Sequence, residues 1–239
     1  MQKDLKIKTK DNYYIYGTLN TPNKIPTKLV IFVHGFTSHR NEHILFNGSK
    51  FLVNKGFDTF RFDLYTDEKG ARNIVDCTIS INSEDINTVV NYFSKKYKNI
   101  YVVGHSYGGT ALLFVKQEKV SKFIFWDPSY IEKDQDQSFV YKKEIDSYVV
   151  DWGVSYIVGK KIVNELKNFP DCGEMISKFT KPVFFVGAEK GAKNHCNKYF
   201  KKASNPKELK IIKGADHNFN NFEHEEILFK ETFNFINKK

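Results

Sequence analysis

Six short runs of this chain are almost continuously apolar: Leu29–His34, Asp58–Asp63, Ile100–Gly104, Lys122–Trp126, Pro182–Val186 and Leu209–Ile212. A strand with one face in water alternates apolar and polar residues. A run without that alternation is buried on both faces, as strands of a parallel sheet are. Between the runs lie segments with helical spacing. In Ser83–Lys96, Ile86, Val89, Val90 and Phe93 share one face, and acidic Glu84 and Asp85 stand in the first turn. Tyr107–Gln117, Asn194–Ala203 and Glu223–Asn237 are the other expected helices. Strand and helix in alternation predict a doubly wound α/β fold with helices on both faces of a mostly parallel sheet. Ahead of it, Leu5–Lys8 and Tyr13–Leu19 alternate around Lys10-Asp11-Asn12, the pattern of an antiparallel hairpin.

With the hairpin counted, the sheet has about eight strands, and 239 residues suffice for a single domain. One connection is too long for a simple βα unit. Residues 128–180 separate the sixth and seventh strands; they begin polar at Glu132–Gln137 and turn helical around Val158–Leu166. The expectation is a small cap inserted into the domain at 128–180. Trp126, Tyr130, Tyr148 and Trp152 flank or lie in it, placed either to line a pocket or to pack the cap.

Three segments at strand ends carry chemistry. Gly104-His105-Ser106-Tyr107-Gly108-Gly109 follows one strand and precedes a helical run, in the G-x-S-x-G pattern of a nucleophile elbow. The turn is tight enough that side chains at Gly104 and Gly108 would collide with neighbouring elements. It exposes the Ser106 hydroxyl beside a helix N-terminus, which favours negative charge. His34-Gly35-Phe36 ends an earlier strand, where the Phe36 amide, with that of Tyr107, can meet a developing oxyanion. Gly214-Ala215-Asp216-His217-Asn218-Phe219 follows the last strand, and His217 there is the candidate general base.

On these three motifs, HGF, GHSYGG and GADHNF, the chain resembles the α/β-hydrolase family over essentially its whole length. The resemblance implies an acyl-serine mechanism on a small-molecule ester, with no cofactor and no metal. More distantly the insertion looks like the caps of feruloyl and cinnamoyl esterases or of monoacylglycerol-lipase-like enzymes. The family's common acid position, about three residues after the glycine that ends the seventh strand, holds Lys190 here. Two carboxylates are left as the acid. Glu189 is adjacent in sequence, and Asp127 directly follows the sixth strand in Trp126-Asp127-Pro128. Both keep the order Ser, acid, His; Asp127 is preferred because an acid ending an apolar strand needs a partner. A thioesterase or amidase would use the same residues, and a non-catalytic binding protein on this fold is the alternative that the missing acid suggests.

The net charge of +9 raises the question of nucleic acid. Only Arg40, Arg61 and Arg72 are arginines, however, and the other 34 basic residues are lysines spread along the chain. Base readout and phosphate clamping favour arginine, so a solvated lysine surface is the expectation. No apolar run approaches the ~20 residues of a membrane span, and no membrane anchoring is expected. His39-x-x-x-His43 has zinc-pair spacing but lacks the HExxH base, and His195-Cys196 reads as a surface loop. Cys77, Cys172 and Cys196 are odd in number and form no CxxC pair. Together with an N-terminus without an apolar core, they point to a reducing cytoplasm.

Overall fold

The computed structural model describes residues 1–22, 27–132, 139–151 and 154–238. Within them, eight strands form one sheet: β1 (Gln2–Lys8), β2 (Tyr14–Asn20), β3 (Lys28–Val33), β4 (Asp58–Phe62), β5 (Asn99–His105), β6 (Lys122–Trp126) and two later ones. The later pair, β10 (Val183–Ala188) and β11 (Lys207–Ile212), follows three short strands of a separate sheet. The spatial order is β1-β2-β4-β3-β5-β6-β10-β11. β1 and β2 form the antiparallel hairpin, β2 joins β4 antiparallel, and every later pairing is parallel. All five residues of β4 and the last four of β6 are buried; β6 therefore reads as an apolar run, whereas β4 buries Asp58, Thr59 and Arg61 between its phenylalanines.

Each parallel strand divides its side chains between two cores. Val30 and Phe32 of β3, with Ile124 and Trp126 of β6, face one layer; Leu29, Ile31 and Val33, with Phe123 and Phe125, face the other. The first layer is covered by α1 (His43–Asn54) and α7 (Phe222–Asn237). The second is covered by α2 (Ile79–Phe93), α3 (Tyr107–Ala111), and the later helices α5 (Cys172–Ser177) and α6 (Lys193–Lys202).

Three expectations about elements are corrected. Helix α2 starts four residues earlier than the acidic turn suggested, because the Thr78 hydroxyl caps it by accepting from the Ile81 amide at 3.1 Å. The helix after Ser106 ends at Ala111 and tightens into a 3₁₀ turn, Leu112–Phe114, rather than running to Gln117. Helix α1 was not anticipated at all. Its buried face carries Gly48 and Ser49 beside Ile44, Leu45 and Leu52, so the apolar stripe is interrupted. The small residues have reasons: a Cβ on Gly48 would stand 3.0 Å from the Trp126 ring, and Ser49 bonds Thr59 across 2.6 Å.

The long connection after β6 contains more than a helix. β7 (Val140–Lys142), β8 (Ser147–Asp151) and β9 (Ser155–Val158) make a three-stranded antiparallel sheet. Val158 closes a strand there, and α4 (Lys160–Lys167) begins only after Gly159. Most of the polar stretch at 132–137, and Trp152, lie outside the described residues. Trp126 is core rather than pocket: it is fully buried and its indole N–H donates to Thr232 at 2.9 Å.

Candidate active site

Ser106 sits where β5 turns into α3, with φ +52° and ψ −120°. For a residue with a side chain this is a strained backbone, held only because its surroundings dictate it. A Cβ on Gly104 would lie 2.7 Å from the Gly108 carbonyl oxygen, and one on Gly108 would lie 2.5 Å from that of His34. Those two glycines are therefore what lets β5, β3 and α3 approach closely enough to present the serine.

Asp127 follows the last residue of the neighbouring strand β6, also at positive φ (+41°), and is fully buried. Its carboxylate accepts three hydrogen bonds. Oδ1 accepts from the Ala188 amide at 2.7 Å, and Oδ2 accepts from the Ala192 amide at 2.8 Å and from His217 Nδ1 at 2.6 Å. A buried carboxylate without such partners is costly. Gly191 makes room for it, since a Cβ there would lie 2.3 Å from Oδ2. With Nδ1–H directed at Asp127, His217 Nε2 is the acceptor, and Ser106 Oγ lies 2.9 Å from it. Ser106, His217 and Asp127 are thus brought into one hydrogen-bonded line.

Glu189 is not part of it. It is exposed, and its Oε2 accepts from the Gly214 amide at 2.8 Å. The backbone beside it completes a brace, because the Lys190 amide donates to the Ala215 carbonyl at 2.8 Å. The turn that supplies the acid in the common pattern here ties down the loop that carries His217.

Phe36 and Tyr107 both line the cavity above Ser106, their rings 5.2 Å apart. The loop bearing Phe36 is fixed from below. Tyr65 Oη accepts from the Thr37 amide at 2.6 Å, where Thr37 has φ +59°. His34 Nδ1–H donates to the Gly35 carbonyl at 2.7 Å while its Nε2 accepts from the Leu64 amide at 2.9 Å. Full burial lowers the His34 pKa and so keeps the ring neutral, as that pattern of one donor and one acceptor requires.

Sequence reasoning missed several residues here. Ser129 lies two positions past Asp127, a spacing that returns it to the same sheet edge, and its Oγ is 3.3 Å from Ser106 Oγ. Its amide donates to the Ser106 carbonyl at 3.1 Å, and its own carbonyl accepts from Thr110 and Tyr199. His105 Nε2–H donates to the His217 carbonyl at 2.9 Å, tying elbow to loop. Burial, with the neighbouring His217 ring adding to it, pushes the His105 pKa down to about 3. His195, expected on a surface loop, instead stands on α6 and lines the cavity, while Cys196 beside it is buried and burial raises its thiol pKa.

The cavity holds about 450 Å³. Ile79, Ile131, Phe139, Ile162 and Leu166 give it an apolar wall drawn largely from the long connection, and Ser38, Glu42 and Asn218 give it a polar side. Among the described residues no cluster of three or more His, Cys, Asp or Glu is suited to hold a metal. His39 accepts from the Asn41 amide and His43 lies 3.6 Å from Glu225, so the two are engaged separately.

No protein-family model and no curated protein matches the sequence. Solved structures do. Est1E from Butyrivibrio proteoclasticus is similar with a TM-score of 0.81 at 22% identity, over 98% of this chain and 97% of that one. A second structure of Est1E, with ferulic acid bound, is similar at the same score over 97% of both chains. The α/β hydrolase GrgF from Penicillium follows with a TM-score of 0.78 at 16% identity, over 99% of this chain and 98% of that one.

Proposed function

Because the chain has the α/β-hydrolase fold, we propose that it is a serine hydrolase that cleaves carboxylic esters through an acyl-serine intermediate. The observation that carries this is the line Ser106 Oγ–His217–Asp127, closed at 2.9 and 2.6 Å at the carboxyl edge of the sheet.

In this reading Ser106 attacks the ester carbonyl as His217 Nε2 removes its proton. Asp127 fixes the imidazole tautomer and stabilises the imidazolium that forms. The Phe36 and Tyr107 amides receive the oxyanion, each contributing about 3–4 kcal/mol to barrier lowering. His217 then protonates the departing alcohol. Water, deprotonated by the same nitrogen, releases the acid. The apolar wall of Ile79, Ile131, Phe139, Ile162 and Leu166 suits an apolar acyl chain or an aromatic acid. The Est1E structure with ferulic acid supports a ligand of that size on this fold. A non-catalytic binding role drew its support from the lysine at the common acid position. Asp127, directly after β6, hydrogen-bonds His217 in that acid's stead, which favours the catalytic reading.

The segment 128–180 serves as the cap that shapes the pocket. Three unpaired, buried cysteines suit a reducing cytoplasm, and no helix among the described residues is long and apolar enough to cross a membrane. The test is intact mass after exposure to a fluorophosphonate probe. Stoichiometric labelling of the parent and none of Ser106→Ala is expected; a folded parent that takes no label overturns the reading.

A further inference from the structure

Two acceptors in the cavity have no part in the acyl-transfer steps. Glu42 occupies the N-cap position of α1, yet its side chain does not cap that helix. It turns back to accept from Ser38 Oγ at 2.6 Å through Oε2, and Oε1 takes no hydrogen bond from the described residues. No lysine or arginine among them pairs with it either. The nearby Arg40 guanidinium is bound to Asp63 and Glu68, and Arg61 donates to the Arg40 carbonyl and to Asn41. The Glu42 side chain is 16% exposed, so it presents to the cavity a carboxylate without a counter-charge.

The second acceptor is His105 Nδ1. The ring is 2% exposed, and because Nε2–H is committed to the His217 carbonyl, Nδ1 presents a bare lone pair. That nitrogen is buried without a partner and stands 3.9 Å from Glu42 Oε2. Two acceptors at that separation repel each other. A single donor atom about 2.8 Å from each answers both. Glu42 and His105 both line the cavity that holds Ser106.

The side of the cavity follows from the chemistry. His217 hands its proton to the departing alcohol, so the alcohol half of the ester leaves on the His217 side. His105 lies against His217, ring centroids 4.9 Å apart, and Glu42 lies beyond His105. The acyl half is left the apolar wall opposite.

Resting on the serine-hydrolase reading, we propose that Glu42 and His105 Nδ1 form a subsite for the alcohol moiety, selecting esters whose alcohol carries a protonated amine. The ammonium N–H groups satisfy the lone pair and the carboxylate together. A neutral alkyl alcohol leaves both unanswered, which is how buried polar groups discriminate.

The test compares two esters of the same acid: piperidin-4-ylmethyl butyrate, a cation at pH 7 whose nitrogen carries two N–H groups, and its neutral isostere cyclohexylmethyl butyrate. The ratio of kcat/KM, cationic over neutral, is expected to exceed about tenfold, as a charge-assisted hydrogen bond implies. It falls to near one in Glu42→Gln and survives in part in Glu42→Asp, which keeps the charge. Should Glu42→Gln fold poorly, its loss of fluorophosphonate labelling reveals it, and Glu42→Asp then decides. A parent ratio near one, or a ratio unchanged in Glu42→Gln, overturns the subsite. Where that happens while Ser106 still takes the probe, only the subsite falls. If the parent takes no probe and cleaves neither ester, the hydrolase reading falls and the subsite with it.

Discussion

Asp127 and Glu189 follow the ends of two neighbouring strands, β6 and β10, and their surroundings separate them. Asp127 is buried, accepts from two amides and faces His217; Glu189 is exposed and accepts from Gly214. Asp127→Asn is therefore expected to lower kcat by about 10³–10⁴-fold with KM little changed, because the wrong imidazole tautomer is then favoured. Glu189→Gln, which keeps an acceptor for Gly214, should cost less than about threefold in steady-state assays with the same ester. Gly191→Ala places a methyl within 2.3 Å of Asp127 Oδ2 and should cut kcat by at least about 10²-fold, since a misplacement near 1 Å has that effect. The sequence made Ser106 and His217 legible because each sits in a local motif with its own punctuation. It left the acid ambiguous because a carboxylate's partner is chosen by strand order, which no local pattern encodes. Tyr65, which holds the Phe36 loop through Thr37, was invisible for the same reason: 28 residues separate donor and acceptor.

Among the elements, continuous apolar runs identified the parallel strands, since burial on both faces leaves a mark in composition. Helix α1 left none, because its packing against Trp126 and Phe229 requires a glycine where a stripe would carry a large residue. β7, β8 and β9 are only three to five residues long, and exposed Val140, Tyr141 and Ile157 break the alternation that would mark them as strands. Helix α4 shows what such a segment contributes. Ile162 and Leu166 line the cavity, and Glu165 between them accepts from the Ile79 amide at 2.6 Å and the Ser80 amide at 2.9 Å. A carboxylate thus closes two open donors at the N-terminus of α2 and fastens the pocket wall to the sheet layer. Glu165→Ala is expected to destabilise the protein by ~1 kcal/mol in urea titration. It should also raise KM for a butyrate or longer ester several-fold, more than it lowers kcat.

At the scale of the whole molecule, two buried neutral histidines link stability to acid. His105 in the folded chain titrates at about 3, against 6.5 for a free imidazole, and burial lowers His34 in the same direction. Between those values the unfolded chain binds protons that the folded one does not. Stability present above pH 6.5 is therefore lost progressively as pH falls towards 3, by an amount on the order of 5 kcal/mol for His105 alone. Urea midpoints measured at pH 7 and pH 4.5 should differ accordingly, and a midpoint that holds steady over that range would contradict a neutral, buried His105. The charge of +9 adds repulsion that grows as carboxylates protonate, in the same direction.

The connection between β6 and β10 departs beside one carboxylate, and the strand it leads into ends on the same one. It departs at Pro128, immediately after Asp127, and it returns into the strand whose last residue, Ala188, holds Asp127 Oδ1. In the serine-hydrolase reading, the segment that would roof the pocket thus springs from the residue that would orient its histidine. A chimera that exchanges the roof for another should place its joints beyond Ser129, whose amide donates to the Ser106 carbonyl, and before Val183, where β10 begins. A roof grafted inside those limits can differ in length and shape while the chemistry beneath it runs unchanged, which makes this chain a natural chassis for retargeting by insertion.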